Sequence, residues 1–142
     1  NPDYQLFMQT VEKEIKFGAK SDEYADEIAE KFGIKHLYAR HPQSLSEGQK
    51  RRVSIAAVVA TDPEVLILDE PTVGQDYKGL CEMVEVLNKL HEEAHNTMIT
   101  VTHDKRCAAA LCDKSVWIKN GKTYKTGGKE LVDEFFIQIG VN

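Results

Sequence analysis

The sequence lacks most of what would mark it for a membrane, an oxidising compartment or a nucleic acid. Its longest uninterrupted apolar run is Ile55 to Ala60, far short of the ~20 residues that span a bilayer, and no signal peptide opens it. Any membrane role is therefore expected to come through a partner. Cysteine is scarce: Cys81, Cys107 and Cys112 show no metal-type pair spacing, and an odd number without a secretion signal fits reduced cytosolic thiols. All three are expected to pack as small buried hydrophobes. Basic residues are outnumbered, with 18 Lys and Arg against 23 Asp and Glu for a formal charge of −5. Apart from Lys50-Arg51-Arg52 they are scattered, which disfavours a polynucleotide-binding surface. Repeats, low-complexity tracts and linkers are missing too. What remains, 142 residues at 42% hydrophobic and 29% charged, is the composition of one ordinary globular domain.

Within that unit the chain punctuates itself clearly. Asn1-Pro2-Asp3 begins like a loop, and the unit reads as incomplete at its N-terminus. Ser21 is placed to cap a helix running to about Phe32, with Ala25, Ile28, Ala29 and Phe32 on one face and Gly33 as its stop. A second helix is predicted from Ser46 to about Ala60, ended by Asp62-Pro63, because the residue before proline is pushed out of the helical region. Val65 to Leu68 is a continuous aliphatic run, as expected for a parallel strand covered on both faces. Asp76 then caps a helix carrying Leu80, Met83, Val84, Leu87 and Leu90, and Met98 to Val101 reads as the next strand, completing a βαβ unit. Ser115 to Lys119 and Thr123 to Lys125 flank Asn120-Gly121, a pair that favours a two-residue hairpin. Glu130 to Ile137 is predicted as a terminal helix. The class is α/β.

Chemistry concentrates at three places. After Val65 to Leu68 come Asp69 and Glu70, two acids at the C-terminal edge of a sheet, where open α/β sheets place their ligands. Successive strand side chains point opposite ways, so Asp69 is free to serve a Mg²⁺ ion while Glu70 polarises a water. Leu45-Ser46-Glu47-Gly48-Gln49 opens a helix: Ser46 and Gln49 form a capping box. The same N-terminus offers backbone N–H groups, and Gly48 lets a phosphate approach. Thr102-His103-Asp104 follows the second strand directly, which sets His103 on the same edge as Asp69 and Glu70.

With these residues in order, the chain resembles the ATP-binding-cassette (ABC) ATPases. The signature reads LSEGQ (Leu45 to Gln49), the Walker B strand VLILDE (Val65 to Glu70), the D-loop VGQD (Val73 to Asp76), and the switch histidine is His103 in THD. The resemblance covers essentially the whole chain, and its opening looks like the segment after the Q-loop glutamine in cobalt- and vitamin-type energy-coupling-factor ATPases. It implies a P-loop NTPase-like fold with residues 1–60 as a helical subdomain ending in the signature helix. Residues 61–142 would be the half of the ATPase core that holds Walker B, D-loop and switch histidine. By the same resemblance Asp69 holds Mg²⁺, Glu70 is the general base, His103 touches the γ-phosphate and Asp76 organises a dimer interface. Ser46, Gly48 and Gln49 would close on ATP bound by the opposite subunit. The implied partners are ATP, a second ABC ATPase domain and transmembrane transporter subunits, with no nucleic acid. The implied place is the cytoplasmic face of the membrane, and the implied work is import of metal ions or vitamins. If residues 4–39 form the coupling surface, apolar side chains there such as Leu6 and Phe7 are expected to be exposed.

Departures from the family pattern are definite. The phosphate loop G-x-x-x-x-G-K-[ST] is absent, as are the Q-loop glutamine and an adenine-stacking aromatic, so the resemblance implies the C-terminal half of a nucleotide-binding domain. Gly121-Lys122-Thr123 is a decoy: its context is strand, turn, strand instead of strand, loop, helix, and Val116 stands where the first glycine belongs. Glu47 replaces a usual glycine and Gln75 a common leucine. Without the phosphate loop, Met98 to Val101 is expected at or near an unprotected sheet edge. Two other readings stay open: a soluble ABC ATPase acting on DNA or ribosomes, and a non-catalytic interaction module.

Overall fold

Side-chain caps decide where the helices begin. The computed structural model describes residues 6–94 and 96–140, and the loop expected at Asn1-Pro2-Asp3 lies outside them. Thr10 accepts from the Lys13 N–H to start α1 (Val11–Lys16), and Ser21 accepts from the Tyr24 N–H to start α2 (Asp22–Lys31). Gly33, at φ +65°, turns the chain out of α2, a conformation that a side chain would strain. The signature segment opens α3 (Glu47–Val59) through the capping box expected of Ser46 and Gln49. The chain leaves α3 through Asp62-Pro63 into β1 (Val65–Asp69). There follow α4 (Tyr77–Ala94), β2 (Thr97–Val101), α5 (Lys105–Leu111), β3 (Ser115–Lys119), β4 (Lys122–Gly127) and α6 (Lys129–Gln138). No helix among the described residues is long and apolar enough to cross a membrane.

The first three helices meet through fully buried Val11, Ile15, Ala25, Ile28, Ala29, Val53 and Ala56. Their cluster continues into Leu66 and Leu68 of β1 and into Met83, Leu87 and Leu90 of α4, so one hydrophobic core runs across residues 60 and 61. β1 and β2 pair in parallel, Val65 opposite Thr97 through Asp69 opposite Val101, as a βαβ unit requires. Beyond them β3 and β4 form a separate antiparallel hairpin. Asn120 and Gly121 both take positive φ at its turn, 52° and 71°, the geometry of a type I′ hairpin. That placement disposes of Gly121-Lys122-Thr123 as a phosphate loop. Trp117 packs edge-on against Tyr124 across the hairpin and against Phe135 of α6, each at 5.0 Å between ring centroids, and the second contact anchors the hairpin to α6.

Four expectations need correction. β1 is covered on one face only: Leu66 and Leu68 are buried, but Ile67 is 66% exposed and Val65, Ile99 and Val101 share its open side. Only the face toward α4 is packed by described residues, so the aliphatic run does not signal two-sided burial here. Leu6 is 4% exposed and joins the core, whereas Phe7, at 67%, is as exposed as expected. Cys107 is buried but Cys81 is exposed and Cys112 only half-buried; all three thiols are free. Helices α1 and α5 were not foreseen in the periodicity, being 6 and 7 residues long, too short to display a repeating face. β2 does lie at an edge: its described partner is β1 alone.

Candidate functional site

The parallel register of β1 and β2 delivers the chemistry to one place. Asp69 ends β1 opposite Val101, the last residue of β2, so the two strands release Glu70 and Thr102-His103 side by side. Glu70 is not a strand residue: it sits at φ +48°, in the left-handed region, while its N–H donates to the Val101 carbonyl at 2.8 Å. Its direction is therefore set by this turn and not by strand alternation. A non-glycine residue held there stores strain of order 1–3 kcal/mol, a feature that clusters at functional sites.

The turn aims the Glu70 carboxylate at the β2 exit. Oε1 accepts from the His103 backbone N–H at 3.0 Å and lies 2.7 Å from His103 Nδ1, while Oε2 accepts from the Thr102 hydroxyl at 3.1 Å. Both oxygens are thus oriented, and one of the roughly four lone-pair directions of a carboxylate remains for a water. The hydrogen bond that Glu70 accepts first, and its charge second, raise the His103 pKa above the ordinary 6.5. The imidazole itself stands open, with its side chain 80% exposed. Asp104 is committed elsewhere, capping α5 through the Arg106 and Cys107 N–H groups and pairing with Arg106, whose hydrogen bonds hold its carboxyl below the usual range.

Asp69 is exposed and its carboxylate engages no partner among the described residues. No cluster of three or more His, Cys, Asp or Glu able to hold a metal exists among them. A single open carboxylate is compatible with Mg²⁺. Mg²⁺ takes one or two carboxylates, keeps waters, and draws its remaining oxygens from a nucleotide instead of a protein cage.

The second group of residues lies at the start of α3. Ser46 and Gln49 spend their side chains on each other's backbone, at 3.3 and 3.0 Å, which fixes the first turn and leaves the α3 dipole pointing outward. Glu47 turns to Lys50, 3.1 Å away. Gly48 is pressed against the D-loop: a Cβ there would lie 3.3 Å from both the Gly74 carbonyl and Gln75 Oε1. Part of the space expected beside Gly48 for a phosphate is filled by the chain's own turn. Asp76 caps α4 through the Gly79 N–H at 2.7 Å. An open groove of about 480 Å³ runs along Ser46, Gly48, Gln49, Gly74, Gln75 and Asp76. No side-chain hydrogen bond among the described residues joins this group to Glu70 and His103.

Two contributors escaped the sequence reading. The Thr102 hydroxyl orients Glu70, a role that needs the strand register to be seen. Gly79 makes room for Gln75, and a glycine in the first turn of a strongly periodic helix was the available signal.

Comparison with known proteins bears on the family and the fold. The family described as ABC transporter matches residues 2–73. Energy-coupling factor transporter ATP-binding protein EcfA2 of Enterococcus faecalis is 43% identical over 92% of this chain, and that of Bacillus cereus (strain ATCC 10987) is 44% identical over the same share. The chain spans 48% of each, about half the length of the relatives it matches. Among solved structures, cbiO1 of Clostridium perfringens, part of the ABC transporter complex cbiONQ, superposes with a TM-score of 0.79. It is 33% identical, and the match covers 98% of this chain and 60% of that one. The ATP-binding cassette MJ0796, in a dimeric post-hydrolysis state with ADP and Pi, gives a TM-score of 0.74 at 25% identity over 87% of this chain and 61% of its own. The architecture is accordingly a partial P-loop NTPase fold, and the chain belongs to the ABC transporter family.

Proposed function

We propose that this chain is part of the ATP-binding subunit of an ABC importer, coupling ATP hydrolysis to uptake of metal ions or vitamins. The observation that carries the reading is the Glu70–His103 pair, oriented by Thr102 at the common exit of two parallel strands, with the unpaired Asp69 carboxylate beside it. In the whole protein Asp69 holds Mg²⁺, which neutralises charge on the phosphate oxygens when bound. Glu70 takes the proton of the attacking water through its free lone pair, and His103 presents its exposed imidazole to the γ-phosphate. Phosphoryl transfer asks mainly for alignment and charge stabilisation, and the fixed carboxylate and imidazole supply both. Ser46, Gly48 and Gln49, at the positive end of α3, close on ATP held by a second ATPase domain, with Asp76 at the contact between them.

The division into a helical part, residues 1–60, and an ATPase-core half, residues 61–142, belongs to the same proposal. So do transmembrane subunits as partners, the absence of a nucleic-acid partner, and a site of action at the cytoplasmic face of the membrane. The names of the relatives support the transporter class, and the exposed Phe7 supports a docking role for the helical part. The test is Glu70→Gln in the whole protein. Amide and carboxylate are nearly isosteric, so MgATP binding persists while turnover falls by about 10²-fold or more, since general-base catalysis contributes about 10² to 10⁴. Near-normal hydrolysis in that variant would assign the base elsewhere.

A further inference from the structure

Gln75 does something that the leucine common at its position cannot do. Its side-chain Nε2 donates to the Gly48 carbonyl at 2.9 Å, reaching from the D-loop into the first turn of α3. A helix carbonyl keeps a second lone pair after its intrahelical bond, so this donor adds to the ladder without breaking it. Around the bond the packing is close. The Gly74 carbonyl lies beneath Gly48, and a Cβ on Gly79 would fall 2.6 Å from Gln75 Oε1, 3.0 Å from Asp76 Oδ1 and 3.3 Å from Arg52 Nη2. Arg52, one turn along α3 from Gly48, meets Glu82 of α4 at 2.7 Å. Two glycines without Cβ, one amide and one ion pair thus tie the start of α3 to the start of α4. Neither glycine here has positive φ, so close approach, not backbone conformation, explains their use.

We infer that Gln75 is a positioning residue, whose amide fastens the first turn of the signature helix to the D-loop so that both present themselves as one body to the opposite nucleotide site. The inference rests on the ATPase reading above for its consequence, but not for its structure. Ser46, Gly48 and Gln49 act on a phosphate only if the α3 N–H groups point at it within a narrow range, and a misplacement of about 1 Å is enough to lower a rate sharply. Asp76 sits one residue after Gln75 and caps α4, so the bond to Gly48 sets the spacing between the two contact motifs. The Gln75 amide never touches the reacting atoms; it acts through the Gly48 carbonyl.

The experiment compares the whole protein with its Gln75→Met variant, which keeps chain length and loses the donor. A second variant, Gly79→Ala, displaces the Gln75 amide from the other side. Without nucleotide, amide hydrogen exchange in the first turn of α3, residues 48–52, is expected to speed up by about 3- to 10-fold in each, the range that loss of one neutral hydrogen bond allows. MgATP turnover is expected to lose a similar factor in kcat with KM held within about twofold, the pattern of an interaction made in the transition state. Unchanged exchange in both variants overturns the inference, as does unchanged kcat. A wild-type protein without MgATP turnover would refute the proposed function instead, and the exchange measurement would still decide the bond.

Discussion

Glu14 is a buried carboxylate with no cation in hydrogen-bonding range among the described residues; it holds the backbone. Its Oε2 accepts from the Phe7 N–H at 2.9 Å and from the Met8 N–H at 2.7 Å, pinning the segment before α1 so that Leu6 enters the core while Phe7 leans edge-on against Phe17, 5.6 Å between centroids. Replacing it by alanine leaves two routes. If the segment stays, two part-buried N–H groups lose their partner, at up to about 1–3 kcal/mol each. If the segment peels away, both reach water. The cost is then the burial of Leu6, about 1.5–3 kcal/mol, offset by about 1–2 kcal/mol of regained backbone freedom for each released residue. The second route is cheaper. Glu14→Ala is therefore expected to lower stability by no more than about 3 kcal/mol, a fall in Tm of up to about 10 °C at this chain length, and to free the Phe7 and Met8 amides. Because both bonds go to one oxygen, Glu14→Gln keeps both with its carbonyl at roughly half the strength and lies between. Hydrogen exchange with thermal melting reads both quantities. Phe7 and Met8 amides that stay protected in Glu14→Ala would refute the reasoning.

Three further outcomes follow from the site. The His103 midpoint, followed by NMR of its ring, should lie above 6.5 and drop toward it in Glu70→Gln; an unmoved midpoint would dissolve the pair. The sign is that of a raised basic group: its contribution to stability is complete below the unfolded value of about 6.5 and fades as pH climbs through the raised folded value. In the whole protein, Phe7→Asp should weaken co-purification with the proposed transmembrane subunits, and unchanged assembly would remove Phe7 from the proposed coupling surface. The 142-residue chain by itself should bind MgATP weakly in calorimetry, because the backbone donors and lysine of a phosphate loop are not in its sequence; a dissociation constant in the low micromolar range would show that the phosphates bind elsewhere.

Local chemistry was legible wherever a few adjacent residues determine the backbone. Ser46 and Gln49 spell a capping box in four positions, Asn120-Gly121 spells a type I′ turn, and α3, which ends at Val59, stops short of Asp62-Pro63, where proline disfavours helix. The edge that gathers Asp69, Glu70 and His103 was legible too, since parallel strands present all their C-terminal ends on one side. What stayed hidden depends on contacts at long range. Leu6 looked free because no amphipathic face surrounds it, yet Glu14 draws it in from eight residues away. Val65 and Ile67 looked buried because β-branched runs usually are, but burial depends on what packs above them. The left-handed turn at Glu70 has no signature in residue type, for glutamate rarely adopts it; only the pairing of β1 with β2, and the bond from the Glu70 N–H to the Val101 carbonyl, impose it.

That turn also explains how two groups without a shared side-chain contact keep a fixed relation. From Glu70 the chain needs only six residues to reach Asp76, and most of them are tied. The Glu70 carbonyl accepts from the Val73 N–H at 3.3 Å and the Thr72 carbonyl from the Gln75 N–H at 3.2 Å. Pro71 and Thr72 are buried beneath, and proline fixes its own φ. The segment therefore has few soft dihedrals left. One end is clamped to β2 by the Glu70 N–H, the other to α3 by the Gln75 amide and to α4 by the Asp76 cap. A displacement of the carboxylate at the strand exit has to be taken up within this turn or passed to the first turn of α3, and the turn has little slack. Freedom lost in so short a connection is what lets a single stretch of sequence, Asp69 to Asp76, set the spacing between the Glu70 carboxylate and the first turn of α3.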